Sequence, residues 1–338
     1  MSIYYRPIPK LDPIKGTNLL PLAGGHILFD EVEILERNKN GYTIAASEIP
    51  LTIKKDLIGP RPRILDLPQS DPAIMGIINI TPDSFSDGQK DISIKGVVQK
   101  IRKMVEAGVN IIDIGGESTR PGFEDIPVEN ELSRVIPVIE SIRKAGFSIP
   151  ISVDTRKAIV AKLALAAGAN MINDVSGMDF DKDMVTVIKN SGAPICLMHS
   201  GIGTEKDTKP YNYENVLLDV YDSLAKKITT AVKCGIPKSK IIIDPGIGFN
   251  KNLEQNLILL NRLSLFHALG CRLLLGASRK RFIGTITGES QPNKRLIGSL
   301  VVGLEAIKQG VQVLRVHDTA EHNKALSMWK AIVFGRGS

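Results

Sequence analysis

Three residues able to present an oxygen acceptor stand at the ends of short apolar runs: Asp154 in Ser152-Val153-Asp154, Asn173 in Met171-Ile172-Asn173, and Asp244 after Ile241-Ile242-Ile243. Carboxylate and amide oxygens converging on one pocket suit a polar heterocycle that carries amino and ring N–H donors. Cationic candidates end other runs. Arg120, fixed between Thr119 and Pro121 behind Gly115 and Gly116, presents a planar fork matched to phosphate oxygens. In Arg315-Val316-His317 the strand period of two points the Arg and the His to one side, which describes an anion pocket. Lys280, closing Ser278-Arg279-Lys280, can donate to a carbonyl or balance a carboxylate. Asn79 offers an amide oxygen to a hard cation such as Mg²⁺, which takes few protein ligands and fills its shell with water or phosphate. Phe85, alone among turn formers and hydroxyls at 81–88, reads as the water-excluding tip of a lid. Met198 suits the face of a flat ligand. His199 reads as a hydrogen-bonded structural residue rather than a base. Plainer readings compete: Asp154 as a helix N-cap, Arg120 as a surface ion-pair partner, and Lys280 as a solvated side chain.

The elements that carry these residues alternate regularly. Apolar runs at 73–79, 109–114, 149–153, 169–173, 194–198, 240–244, 271–277 and 311–316 read as strands. Helix-like segments follow near 91–107, 129–145, 156–167, 180–191, 212–235, 253–265, 293–309 and 319–335. Near-continuous apolar strands belong to parallel sheets covered on both faces. Gly108, Gly146, Gly168, Gly192, Gly235, Gly270 and Gly310 each precede a strand, where a helix C-cap glycine belongs. Eight such units, each strand ending in a reactive residue, predict a (β/α)8 TIM barrel with its site at the carboxyl ends of the strands. An open doubly wound sheet is the runner-up. Residues 1–70 read differently: they are proline-rich, and two strand-like pieces, 26–35 and 41–49, flank Asn38-Lys39-Asn40-Gly41 as in a hairpin. The expected division is an N-terminal extension, 1–70, serving as hairpin, cap or arm, and a barrel, 71–338.

The bulk numbers narrow the classes. A chain of 338 residues with 43% hydrophobic content can bury a full core. The formal charge of +7 comes without a run of five like charges, and aromatic content is only 5%. A basic cleft for an anionic small molecule fits this better than a nucleic-acid stripe. No apolar stretch approaches the roughly 20 residues of a membrane helix, and the N-terminus has no apolar signal core. The expectation is a cytoplasmic protein without membrane or nucleic-acid partners. Cys196, Cys234 and Cys271 stand in no metal-binding or redox spacing.

Taken together, NITPDSFSDG at 79–88, GGESTRPG at 115–122, SVDTRK at 152–157, INDVSG at 172–177, DPGIGF at 244–249, SRK at 278–280 and RVHD at 315–318 closely resemble the dihydropteroate synthase family. The resemblance spans residues 74–337. It implies a TIM barrel that joins 6-hydroxymethyl-7,8-dihydropterin diphosphate to 4-aminobenzoate with Mg²⁺, releases pyrophosphate, and is inhibited by sulfonamides. Position by position, it implies that Asn79 helps hold Mg²⁺ and diphosphate, and that Arg120, Arg315 and His317 form the anion pocket. Asp154, Asn173, Asp244 and Lys280 would hold the pterin, with Asp113 and Met198 nearby. Thr119, Pro121, Phe249 and Ser278 would line the aminobenzoate side, with Phe85 and Asp83 on the closing loop. The catalytic set is then Asp154, Lys280, Arg315, His317 and Asp113. The chain departs from the family pattern at Gln89, Asn250 and Ser200-Gly201-Ile202. A methyltetrahydrofolate–corrinoid methyltransferase keeps the Asp and Asn contacts but lacks the Arg120, Lys280 and Arg315-His317 set, and a non-catalytic pterin binder should show an eroded site. A homodimer is expected through the helix near 293–309: Leu296, Ile297, Leu300, Val301, Leu304 and Ile307 form a core stripe there, while Gly298, Val302 and Gly303 leave a second apolar face.

Overall fold

The computed structural model describes residues 2–11, 18–80, 94–117, 125–201 and 212–335. The chain opens with β1 (Ile3–Pro7), the two-residue strands β2 (Leu20–Pro21) and β3 (Leu28–Phe29), then β4 (Glu31–Glu36), β5 (Tyr42–Ala45) and α1 (Leu51–Ile58). β4 and β5 pair antiparallel, Val32 opposite Ile44, with Asn38 at φ 60° in the connecting turn. β1 adds to the far side of β4, giving the order β1-β4-β5. The strand expected at 26–35 is therefore two pieces, because β3 turns away to pair with β2.

Eight parallel strands then close on themselves: β6 (Ala73–Asn79), β7 (Ile111–Gly115), β8 (Ile151–Asp154), β9 (Met171–Asp174), β10 (Ile195–Met198), β11 (Ile241–Asp244), β12 (Arg272–Leu275) and β13 (Val313–Val316). Closure is made by β13 on β6, with Val313 opposite Ala73 and Arg315 opposite Met75. The flanking helices are α2 (Ile94–Glu106), α3 (Val128–Lys144), α4 (Ala158–Ala166), α5 (Met184–Ser191), α6 (Val216–Lys233), α7 (Leu253–Asn261), α8 (Arg281–Thr287), α9 (Leu296–Lys308) and α10 (Thr319–Phe334). This is the (β/α)8 barrel read from the alternation. The helix expected at 253–265 stops earlier, at Asn261, and a buried 3-10 segment, Leu263–Leu269, follows it. The short α8 ahead of α9 had no counterpart in the periodicity. All seven glycines expected at helix ends have positive φ, from 64° at Gly192 to 114° at Gly168.

Alternation sorts the strand residues into two shells. Ile74, Ile112, Ile114, Val153, Ile172, Ile195, Leu197, Ile243 and Leu273 belong to the core shared with the helices. Ala73, Met75, Ile111, Met171, Cys196, Ile242, Leu274 and Val313 pack inside the barrel. Two places further along the same inward rows come Asp113, Asn173, Met198, Asp244 and Arg315. The lower half of the barrel interior is thus apolar and the upper half is polar.

Ile64 and Leu67, buried at 2% and 3% exposure, join the interior cluster from outside the barrel. The 60–70 stretch is held there by two buried arginines. Arg272 donates to Pro62 O at 3.1 Å and Pro68 O at 3.0 Å, and Arg61 donates to Asp56 O at 2.7 Å and His267 O at 2.9 Å. The three-stranded sheet docks on the barrel's side: Tyr4 OH donates to Asp222 of α6 at 2.8 Å, Arg262 pairs with Glu33, and Ser264 Oγ donates to Pro7 O at 2.8 Å.

On α9 the faces differ from those expected. Ser299, Gly303, Ala306 and Ile307 are buried and Val302 packs against the core, whereas Ile297 is 78% exposed and Val301 55% exposed. Of the expected stripe Ile307 is buried and Leu304 packs against the core, while Ile297 and Val301 turn outward; Gly298 is closely packed, and a Cβ there would meet Ile283 Cγ2 at 2.3 Å.

Candidate functional site at the carboxyl ends of the strands

Register brings the expected residues into one row. Asn79 lies opposite Gly115, Gly115 opposite Asp154, Asp154 opposite Asn173, and Met198 opposite Asp244. Gly115 is the gap in this row. A Cβ there would sit 3.5 Å from Asp154 Cβ and 3.7 Å from Asn79 Oδ1.

Arg315 reaches across the barrel into the row. Its Nε donates to Asp113 Oδ2 at 2.6 Å and its Nη2 to Asp154 Oδ2 at 2.7 Å. Asn173 Nδ2 donates to the same Asp113 oxygen at 3.1 Å. Each carboxylate keeps its other oxygen, Oδ1, buried and without a hydrogen-bond partner among the described residues. Burial pushes the Asp154 carboxyl up to about 7, with Arg315 pulling the other way. Burial also opposes the charge on Arg315, but Asp113 and Asp154 hold its guanidinium protonated more firmly than usual.

The far side of the mouth is built from the β11 and β12 loops. Asp244 Oδ1 accepts from Gly246 N at 2.7 Å, and burial raises its carboxyl, offset by the nearby Lys280. Lys280 donates to Ile247 O and stands 4.4 Å over the Phe249 ring. Burial lowers its ammonium to about 8. Lys280 follows Arg279, whose φ of 59° turns the chain and whose Nε pairs with Asp318 at 3.0 Å. Ser278 Oγ lies 3.2 Å from His317 Nδ1 and accepts from His317 N at 3.3 Å, so these two residues, expected on different subsites, touch each other. Thr119, Arg120, Pro121, Asp83 and Phe85 lie outside the described residues.

His199 follows Met198 into the wall. It is 3% exposed, its Nε2 lies 3.0 Å from Tyr213 OH, and burial lowers its pKa to about 2, so it stays neutral as a structural residue. Lys251 was not anticipated. Its ammonium donates to Gly246 O, Phe249 O and His199 O at 2.9, 3.0 and 3.2 Å, fixing the loop that carries Phe249. A lysine seven residues after a buried strand looks solvated in sequence, and only the folded loop supplies its three carbonyls. The departures at Asn250 and Gly201 meet in space: Asn250, left-handed at φ 44°, donates from Nδ2 to Gly201 O at 3.1 Å.

The donor set also bears on a metal. Among the described residues no group of three or more His, Cys, Asp or Glu is placed to hold an ion. One amide oxygen, Asn79 Oδ1, beside the Gly115 gap fits a cation that completes its shell with water and diphosphate, as Mg²⁺ does. No helix among the described residues is long and apolar enough to cross a membrane.

Such a mouth, acceptor-rich on one side and cationic on the other, at the top of a closed parallel barrel, defines a pterin-binding barrel enzyme, and the family model described as pterin binding enzyme matches residues 75–317. The dihydropteroate synthase of Clostridium beijerinckii is 44% identical over 263 residues, covering 77% of this chain and 94% of that protein. Two solved structures of Xanthomonas albilineans dihydropteroate synthase superpose on it. The one with 4-aminobenzoic acid has 42% identity and a TM-score of 0.72, covering 78% of this chain and 93% of that one. The one with 7,8-dihydropteroate has 39% identity and a TM-score of 0.70, covering 80% and 95%. The chain belongs to the dihydropteroate synthase family.

Proposed function

We infer that this protein joins 6-hydroxymethyl-7,8-dihydropterin diphosphate to 4-aminobenzoate, forming 7,8-dihydropteroate and pyrophosphate. The observation that carries the reading is the pair of buried, unpartnered Oδ1 atoms of Asp113 and Asp154 beside a shared arginine. A buried acceptor without a partner loses about 1–3 kcal/mol of hydration. A pterin, with its amino group and ring N–H, returns that loss.

Asp113, Asp154 and Asp244 then accept from the pterin edge, Asn173 both donates and accepts, and Lys280 donates to the ring carbonyl. Met198 lies along the ring face. Arg315 and His317, with Arg120, take the diphosphate, and Asn79 would help hold Mg²⁺. Bound Mg²⁺ would neutralise charge on the diphosphate oxygens. In the reaction the methylene C–O bond breaks, its electron pair leaves with pyrophosphate, and the aromatic amine forms the C–N bond and loses a proton. An aromatic amine is a weak nucleophile, so departure of the leaving group carries much of the barrier. The cations favour charge growing on pyrophosphate. The carboxylate of Asp154, when ionised, favours positive charge growing on the pterin methylene. Phe249 and Ser278, with Thr119, Pro121 and Phe85, line the aminobenzoate side, where a sulfonamide competes.

The same reading takes residues 1–70 as an extension that supports the 71–338 barrel from its side and floor, the assembly as a homodimer, and the compartment as the cytoplasm. The test is direct. Mixing both substrates with Mg²⁺ and the protein should release pyrophosphate and yield dihydropteroate in equal amounts; pyrophosphate without dihydropteroate, or neither product, overturns the reading.

A further inference from the structure

Asn250 and Lys251, the two residues after Phe249, both reach from the loop after β11 to the chain just past β10. Asn250 Nδ2 donates to Gly201 O at 3.1 Å, 49 residues away. Lys251 Nζ donates to His199 O at 3.2 Å, 52 residues away. It also donates to Gly246 O at 2.9 Å and Phe249 O at 3.0 Å, which uses all three ammonium hydrogens. The two stretches of chain approach closely here: a Cβ on Gly246 would meet His199 O at 2.0 Å. From the other side, Gly248 N donates to Asn256 Oδ1 at 2.6 Å, and Asn256 Nδ2 donates to Lys251 O at 3.1 Å.

Phe249 sits inside this frame. Its carbonyl is held by Lys251, its N donates to Gly246 O at 3.2 Å, and its ring lies 4.4 Å from Lys280 Nζ. Asn250 has φ 44°, a left-handed conformation that glycine adopts without strain. An Asn tolerates it better than most residues, though at some cost. What the Asn adds is a bond that glycine could not make, from one loop to the next. Both ends of that bond, Asn250 and Gly201, are positions where the chain leaves the family pattern, so this half of the brace is the chain's own.

A loop between a strand and a helix has no ladder of backbone bonds to fix it, so side chains that cap its carbonyls decide where it stands. We propose that Asn250 and Lys251 are positioning residues: together they brace the β11 loop against the end of β10 and so hold the Phe249 ring as a wall of the aminobenzoate site. The proposal rests on the reading of Phe249 as an aminobenzoate contact. It assigns neither residue a contact with substrate.

The test is the split between the two KM values in steady-state turnover. Asn250→Gly keeps the left-handed backbone easy and removes only the bond to Gly201. One neutral hydrogen bond corresponds to a few-fold effect, so KM for aminobenzoate should rise by about 3- to 10-fold. Lys251→Met releases three carbonyls. Misplacing a binding group by about 1 Å can cost on the order of 100-fold, so the same KM should rise by about 10- to 100-fold. KM for pterin diphosphate should stay within about two-fold in Asn250→Gly, the usual limit for independent sites, and should rise at least about ten-fold less than that for aminobenzoate in Lys251→Met. In a Phe249→Ala background neither change should raise the aminobenzoate KM further, because the ring they place is gone. Equal rises in both KM values, a fall in melting temperature with both KM values unchanged, or a further rise in the Phe249→Ala background overturns the proposal alone. A Phe249→Ala enzyme with the wild-type aminobenzoate KM overturns the assignment of Phe249, and the proposal with it. A wild-type protein that makes no dihydropteroate overturns the functional reading itself. Should Lys251→Met not fold, Asn250→Gly carries the test by the same criteria.

Discussion

Arg315 and Asp154, 161 residues apart, meet at 2.7 Å across the mouth of the barrel, and the same guanidinium holds Asp113 at 2.6 Å. The arginine expected to bind only the substrate's anion is thus also the cation that keeps two buried carboxylates in place. Pterin side and diphosphate side share one residue.

This changes what Arg315→Ala should do. With an anion role alone, the variant would weaken only ligands that carry phosphate. In the observed geometry it strands two carboxylates that are almost fully buried. Losing one partner of a buried ion pair destabilises by about 3–5 kcal/mol. Denaturant unfolding should show a loss of that order. Calorimetry should show weaker binding of phosphate-free pterin as well as of pterin diphosphate, the latter falling further. Unchanged binding of the phosphate-free ligand would show that the two carboxylates hold their positions without Arg315.

Asp154 sets a pH dependence. Its folded pKa of about 7 lies above the ordinary carboxylate value, chiefly through burial. The folded protein therefore holds a proton that the unfolded chain releases near pH 4, so this group's contribution to stability falls as pH rises from about 4 to 7 and is level above that. Binding runs the other way, because the N–H donors of a pterin favour the ionised acceptor. Pterin affinity should rise between pH 6 and 8 in the wild type and be flat over that range in Asp154→Asn. Titration calorimetry at several pH values reads both; a slope retained in the Asn variant would move the titration to another group.

The corrected faces of α9 redirect the test of assembly. Ile297 and Val301 are exposed, and Ile286, Met328 and Ile332 on the neighbouring helices α8 and α10 are more than half exposed too. If this apolar face joins two copies, light scattering should give twice 36.8 kDa for the wild type. Val301→Lys should return the monomer mass without loss of folding. Val302→Lys, which points into the core, should unfold the helix instead. A wild-type mass of one chain rejects the dimer.

The floor offers a control remote from the chemistry. Ile64, 2% exposed, packs into the barrel interior from the extension. Ile64→Ala should destabilise by about 2–5 kcal/mol through the cavity it leaves. KM for both substrates should stay within about two-fold, as the polar upper layer does not touch it. A selective rise in one KM would mean that the floor and the mouth are coupled.

What the sequence determined by itself was periodic or local. Alternating apolar runs and helix-end glycines specify eight β/α units, and such units bury both faces of a parallel sheet only by closing or stacking. Residue type at each strand end named Asp154, Asn173, Asp244, Lys280 and Arg315 before any of them had a neighbour. Tertiary structure decided the pairings, because register across strands remote in the chain sets which end meets which. It put Arg315 on Asp113 and Asp154, Ser278 on His317, and Asn250 on Gly201. It also decided which charges are buried. Nothing local in the chain marks Lys157, Lys251 or Arg272 as buried, yet each is enclosed by carbonyls or carboxylates that the fold brings from elsewhere. On α9 the sequence offers two apolar faces, and packing against the neighbouring elements decides between them residue by residue: Gly303, Ala306 and Ile307 are buried, while Ile297 and Val301 stay exposed.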